Sequence, residues 1–301
     1  RIASLIKIIT MPIKESELVL NEDGSIYHLH LLPHQIADTI ITVGDPERVE
    51  KVTKHFDEIE VSVSKREFHT QTGSYKGKRI TVISTGIGTD NIDIVFNELD
   101  ALANIDLKTR EVKTALKKLN FIRIGTSGAI QKDIPINSLI ATETAIGFDS
   151  LLHFYKSETI QDTKIASEVL QQLAMASFKA RPYVIKGSKK LLKYFSSFEE
   201  IKTGITATNV GFYAPQGRVL RAELQDEHFM QKLSNFKYNK QKITNLEMET
   251  SGIYGMSRLL GHRAISLNAI LANRITGEFS KNPEEIVNQL ITFTLDKIAA
   301  F

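Results

Sequence analysis

Short apolar runs that stop at glycine or a turn signal alternate with stretches of helical periodicity along most of the chain. Asp38-Thr-Ile-Ile-Thr-Val43 reads as a buried strand, Gly44-Asp-Pro46 as its stop, and Glu47 to Phe56 as a helix. Further strands are predicted at Glu60–Ser64, Phe68–Thr72, Arg79–Thr85, Phe121–Ile124, Ser138–Glu143, Gly204–Thr208, Ile243–Glu247 and Ala264–Ala272. The strand at Phe121 should end in a Gly125-Thr-Ser-Gly128 turn. A helix from Asp90 carries Ile92, Val95, Phe96 and Leu99 on one stripe. Helical spacing recurs at Thr163–Ser177, Ser188–Phe195, Glu249–Leu260 and Pro283–Ala300, and Leu107–Leu119 reads as a charged amphipathic helix in a surface insertion. Residues 12–35 are polar, with one short extended piece at Ser25–Leu31. Alternating strands and helices place the chain in the α/β class. No linker, repeat or low-complexity stretch divides it, so residues 25–301 are expected to form one domain behind an N-terminal extension, 1–24.

Composition narrows the function. A net charge of +3 over 301 residues, without a dense basic run, argues against nucleic acid but suits a small anionic substrate. With no cysteine, disulfides, zinc thiolates and cysteine nucleophiles are excluded. No apolar run approaches the ~20 residues that span a bilayer, so no membrane partner is expected. Arg1–Thr10 is apolar and basic like a signal peptide, but Lys7 interrupts it and no small-residue cleavage site follows. Met11 offers a natural start, and a cytoplasmic location is the expectation.

The chemistry should gather at strand ends, where open α/β sheets bind ligands. Gly44-Asp-Pro-Glu-Arg48, Gly86-Ile-Gly88, Arg123-Ile-Gly-Thr-Ser-Gly128 and Asn245-Leu-Glu-Met-Glu249 each join glycine or a small turn to polar side chains. Arg123 interrupts an apolar strand. A buried arginine needs an anion, supplied either by a structural ion pair or by a ligand. Arg48 and Arg66 sit at strand–turn junctions, where a solvated charge is the plain alternative. Glu247 and Glu249 could grip a diol or merely favour a helix N-terminus. Phe212-Tyr-Ala-Pro-Gln-Gly-Arg218 could stack and hydrogen-bond a flat heterocycle, or be an ordinary loop.

Taken together and in this order, these segments resemble the nucleoside phosphorylase family, and most its uridine phosphorylase branch. The motifs Gly-Asp-Pro-x-Arg, Thr-Gly-Ile-Gly, Arg-Ile-Gly-Thr-Ser-Gly, Phe-Tyr-x-x-Gln-x-Arg and Asn-x-Glu-Met-Glu span roughly residues 25–278. The resemblance implies a three-layer α/β/α sandwich around a mixed, distorted barrel-like sheet. It implies that Gly44, Arg48, Arg123 and Thr126 hold phosphate, joined by Arg66 of a neighbouring subunit. It gives Met248 and Glu249 to the ribose, with Glu247 beside them, and His28 to the ribose 5′-hydroxyl across a dimer interface. Phe212, Gln216 and Arg218 match the pyrimidine-reading set. Arg123, Gln216, Arg218 and Glu249 would thus carry catalysis. The expected reaction turns uridine and phosphate into uracil and ribose 1-phosphate. Inorganic phosphate is a co-substrate, and no metal or other cofactor is implied. The minimum assembly is a homodimer, commonly built into a homohexamer.

Three alternatives share the scaffold. A purine nucleoside phosphorylase would protonate its base with an aspartate where this chain has Asn273-Arg274. A nucleosidase would lack the arginine set. A non-catalytic nucleobase-binding protein would have no reason to keep every mapped residue. The chain departs from the family in a longer Asn104–Asn120 link, in Val219-Leu-Arg-Ala222, and after Arg274. His153 reads as structural.

Overall fold

The computed structural model describes residues 11–177 and 179–301, so the expectation for Arg1–Thr10 falls outside it. Strand β1 (Thr39–Val43) feeds helix α1 (Pro46–Thr53). Strands β2 (Glu58–Lys65), β3 (Phe68–Tyr75) and β4 (Lys78–Ser84) follow, then helix α2 (Thr89–Asn104). A small hairpin, β5 (Ile105–Asp106) and β6 (Glu111–Val112), precedes the long strands β7 (Asn120–Ala129) and β8 (Leu139–Gly147). Next come α3 (Thr163–Leu173), β9 (Tyr183–Lys186), α4 (Lys189–Phe195) and β10 (Ile201–Thr208). The chain ends with α5 (Phe229–Asn235), β11 (Lys237–Tyr238), β12 (Gln241–Glu247), α6 (Thr250–Leu259), β13 (Arg263–Asn273), β14 (Glu278–Phe279) and α7 (Pro283–Ala300).

Successive residues of the central strands enter opposite cores, as the two-residue period of a strand requires. Ile40, Ile83 and Phe121 pack with Phe96 and Leu99 of α2 and Ile253 and Met256 of α6. Their neighbours Ile41, Val82 and Ile122 pack with Val49 of α1, Leu191 of α4 and Leu290 and Leu295 of α7. Helices therefore cover both faces of the sheet, giving three layers. Each such side chain contributes about 1.5–3 kcal/mol on burial.

The sheet is mixed and partly closed. Its order runs β11-β12-β10-β8-β13-β7-β1-β4-β3-β2. A second pairing, antiparallel between β12 and β7 at Asn245↔Ala129 and Leu246↔Gly128, bends the path back on itself. Strands β7, β13, β8, β10 and β12 thus form a ring, with β1, β4, β3 and β2 as an open wing. Register shifts in β10 and β13 distort the ring.

Two local expectations are corrected. Leu107–Leu119 is no helix. Asp106 accepts hydrogen bonds from the Lys108 and Thr109 N–H groups, Arg110 takes φ +59°, and the chain turns into β6. Leu107 packs against the core and Leu119 lies within it, but Val112 and Leu116 stay exposed, so the apolar positions of that pattern are not covered as one helical face. The hairpin instead meets the N-terminal segment: Ile13 donates to the Arg110 carbonyl and Arg110 to the Leu18 carbonyl. Nor does Gly125-Thr-Ser-Gly128 turn. It continues β7, with Gly125 opposite Asn268 and Thr126 opposite Ala269 on β13. The short elements β9 and α5 lack enough periodicity to be seen in the sequence.

Candidate active site

A cavity of about 800 Å³ opens where β1, β7 and β12 meet the starts of α1 and α6. Gly44, Arg48, Arg123, Thr126, Glu247, Met248, Glu249, Phe212, Gln216 and Arg218 all line it. The sequence spreads these ten positions from Gly44 to Glu249, and the fold brings them to one space.

On one side stand two arginines. Asp45 caps α1 by accepting from the Glu47 N–H at 2.9 Å, and Pro46 begins the helix with its φ already suited. That sets Arg48 on the first turn, with its guanidinium 3.5 Å from the Ile124 carbonyl oxygen. Burial and the nearby Arg123 both depress the Arg48 pKa. An anion between these two guanidinium groups would relieve the repulsion.

Arg123 is 5% exposed. Its Nη2 donates to Glu249 Oε2 at 2.6 Å and lies 3.3 Å from Glu247 Oε2, and its Nη1 donates to Asn268 Oδ1 at 2.8 Å. Burial works against the cation, but the two carboxylates outweigh it, so its pKa is raised. Glu249 is pulled both ways. Burial lifts its carboxyl above the ordinary carboxylate range, opposed by Arg123 and by the Gly88 N–H at 3.0 Å. Each partner partly compensates the other's desolvation.

Glu247 has a largely structural set of bonds. Its Oε2 accepts from the Glu249 and Thr250 N–H groups, both at 2.9 Å, and its Oε1 accepts from Thr208 Oγ1 at 2.6 Å. It is the carboxylate that starts α6, and it fixes the backbone bearing Met248 and Glu249.

The opposite wall is a turn rather than a sheet. Arg218 stacks its guanidinium 3.7 Å from the centroid of Phe212 and donates to the Phe212 carbonyl at 2.6 Å and to Gln216 Oε1 at 2.7 Å. Gly217 sits in the left-handed region, φ +67°, and a Cβ there would lie 2.1 Å from Met230 Cγ. Burial and neighbouring Arg274 lower the Arg218 pKa to about 10. Arg274 itself donates to the Gln216 carbonyl at 3.0 Å. The sequence singled out Arg274 only as part of a missing aspartate; its presence beside Gln216 came from β13 packing against β7. Asn268, inside an apolar strand as Arg123 is, was equally open to notice.

His28 and Arg66 do not line this cavity in their own chain. His28 rests on α2, its Nδ1 2.6 Å from Glu98 Oε1, and Glu98 also accepts from the His28 and Leu29 N–H groups. Arg66 is exposed at the β2–β3 turn with φ +56°, next to the cavity-lining Glu67. His153 bonds through Nε2 to the Arg181 carbonyl, 2.8 Å away, and takes no place in the cavity lining.

Residues 38–297 match the family model described as Phosphorylase superfamily. A uridine phosphorylase of Thermococcus kodakarensis is 31% identical over 266 residues, covering 88% of this chain and 83% of the relative. A DeoD-type purine nucleoside phosphorylase of Bacillus cereus is 26% identical over 273 residues, 89% of this chain and 97% of the relative. Among solved structures, a Trypanosoma brucei nucleoside phosphorylase described as showing uridine phosphorylase activity superposes with a TM-score of 0.86 at 29% identity. That superposition covers 94% of this chain and 100% of that one. With a family match running from β1 into α7 and a fold shared over the same span, the chain belongs to the phosphorylase superfamily.

Proposed function

We propose that the chain is a uridine phosphorylase, splitting uridine with inorganic phosphate into uracil and ribose 1-phosphate. The observation that carries this is the cavity itself, which joins two close arginines, a carboxylate above them and a glutamine–arginine turn opposite. Relatives and a solved neighbour named for uridine phosphorylase support the same choice.

In this reading Gly44, Arg48, Arg123 and Thr126 hold phosphate, and Met248 and Glu249 hold the ribose. A phosphate oxygen bonds to the anomeric carbon as the bond to the uracil ring nitrogen breaks, and that nitrogen keeps the electron pair. The sugar passes through a cationic state, which the phosphate faces, while negative charge spreads into uracil. Gln216 pairs with the base amide edge, Phe212 stacks on it, and Arg218 and Arg274 stabilise the departing charge. A preorganised donor of this kind is worth about 2.7–4 kcal/mol. Gln216 Oε1 already accepts from Arg218, and its second lone pair can accept from the base. No cofactor takes part in this scheme.

The purine alternative is disfavoured by Asn273. Its Nδ2 donates to the Gln131 and Ile134 carbonyls, and its Oδ1 accepts from the Ile275 and Thr276 N–H groups. A fully engaged amide offers no acid to a purine.

His28 and Arg66 fit best as contributions to a partner's cavity, which makes a homodimer the minimum active unit and a homohexamer its expected assembly. A cytoplasmic salvage role belongs to the same proposal. No helix among the described residues is long and apolar enough to cross a membrane.

The test follows absorbance during cleavage of uridine and of inosine, each with and without phosphate. Phosphate-dependent loss of uridine alone is expected. Inosine cleavage would overturn the base assignment, cleavage without phosphate would mean a hydrolase, and no cleavage would mean a binding protein.

A further inference from the structure

The ring of five strands is not filled by apolar side chains alone. Polar residues from all five strands join in a hydrogen-bonded hoop that begins and ends on β7. Arg123 Nη1 donates to Asn268 Oδ1 on β13 at 2.8 Å. Asn268 Nδ2 lies 3.4 Å from Thr142 Oγ1 on β8 and 3.2 Å from Ser266 Oγ. Thr142 Oγ1 meets Thr206 Oγ1 on β10 at 2.6 Å, and Thr206 donates to Asn245 Oδ1 on β12 at 3.1 Å. Asn245 Nδ2 returns to Ser127 Oγ on β7 at 3.0 Å. Asn268, Thr142, Thr206 and Asn245 are fully buried.

We infer that Asn268 is a positioning residue that sets the pose of Arg123 and thereby the affinity of the cavity for phosphate. The inference rests on the reading that Arg123 holds phosphate. Three observations carry it. Asn268 lies directly across the ladder from Gly125. A Cβ on Gly125 would fall 1.7 Å from Arg123 Nη1, so the guanidinium lies flat over this glycine and reaches the next strand. The amide is also oriented from behind, since its Nδ2 faces two hydroxyls while its Oδ1 takes the arginine.

The residue type matters as well. Arg123 already faces two carboxylates. A third anion would fix the guanidinium equally well but repel phosphate. A neutral amide orients the donor and leaves its charge available.

The experiment measures the KM for phosphate and for uridine, with melting temperatures, in Asn268→Leu, Arg123→Lys and the double variant. Asn268→Leu leaves a buried N–H without its acceptor, and phosphate KM should rise about tenfold or more while uridine KM moves about twofold or less. In the Arg123→Lys background the same change should add little, because the two residues act through one contact. Where Asn268→Leu does not fold, Asn268→Ser carries the same comparison. An unchanged phosphate KM in the Asn268 variants, beside a clear Arg123→Lys defect, overturns this inference alone. Equal rises in both KM values, additive with Arg123→Lys, reduce Asn268 to a structural residue and overturn it too. A normal phosphate KM in Arg123→Lys overturns the phosphate reading, and this inference falls with it.

Discussion

The two walls of the cavity are built on opposite principles. The wall of Arg123, Glu247 and Glu249 is buried, stands on strands and a helix start, and has each charged group held by several partners. The wall of Phe212, Gln216 and Arg218 is a turn, with Phe212 half-exposed and Arg218 bonded only within its own segment. Charge at the reacting centre has to be in place before the reaction, because reorganising it would cost what catalysis needs to gain. A flat base can instead be read by a segment that closes around it. In the proposed reading the buried wall therefore serves phosphate and ribose, and the turn serves the choice of base.

Four substitutions or conditions sharpen that contrast. The largest effect is expected from Arg123→Ala, which should lower phosphate-dependent kcat/KM by about 10²–10³-fold, the usual range for one lost charged donor at a transition state. Near-normal turnover in a steady-state assay would remove Arg123 from the buried wall's role. Next, Gln216→Ala should lower uridine kcat/KM by about tenfold or more, since a lost pairing leaves the base's polar edge unmet. Phosphate KM should hold steady; a parallel rise would mean that the walls are not separable.

The third prediction concerns pH. Burial raises the Glu249 carboxyl and Arg123 opposes that rise. A carboxyl raised in the fold favours the folded state in acid, below its ordinary value, and that contribution fades as pH climbs through the raised value. Removing Arg123 lifts Glu249 further, so the melting-temperature gap between wild type and Arg123→Ala should narrow on acidification. A gap constant from neutral to mildly acid pH would show that Glu249 does not depend on Arg123. The smallest effect is expected at the rim. Phe212→Ala should cost uridine binding only a few-fold, on the order of 1 kcal/mol for a lost stacking contact, measured by titration calorimetry. A loss as large as that of Gln216→Ala would mean that the rim contributes to base binding as strongly as the centre.

Legibility in the sequence divides along the same line. The strands bearing Val43, Arg123 and Glu247 are visible as apolar runs, and α7 is legible to the residue, because long periodic segments bury one continuous face. The resemblance supplies all ten cavity-lining positions named above. Leu107–Leu119 misleads, because helical spacing means little when its apolar positions are not covered together: Leu119 is buried while Val112 and Leu116 are exposed. Gly125-Thr-Ser-Gly128 misleads because glycine there serves the Arg123 guanidinium rather than a turn.

The α/β class, the order of the main elements and the residue types gathered for an anion, a diol and a flat ring were all readable from the chain alone. These follow from local periodicity and from chemistry that any chain carries with it. It took the folded arrangement to fix that β12 returns to β7 and closes the ring, that Glu247 starts α6 while Glu249 takes Arg123, and that Asn268 and Arg274 meet Arg123 and Gln216. Those choices depend on which strand lies beside which, and strand pairing between residues far apart in the chain leaves no periodic mark in the sequence.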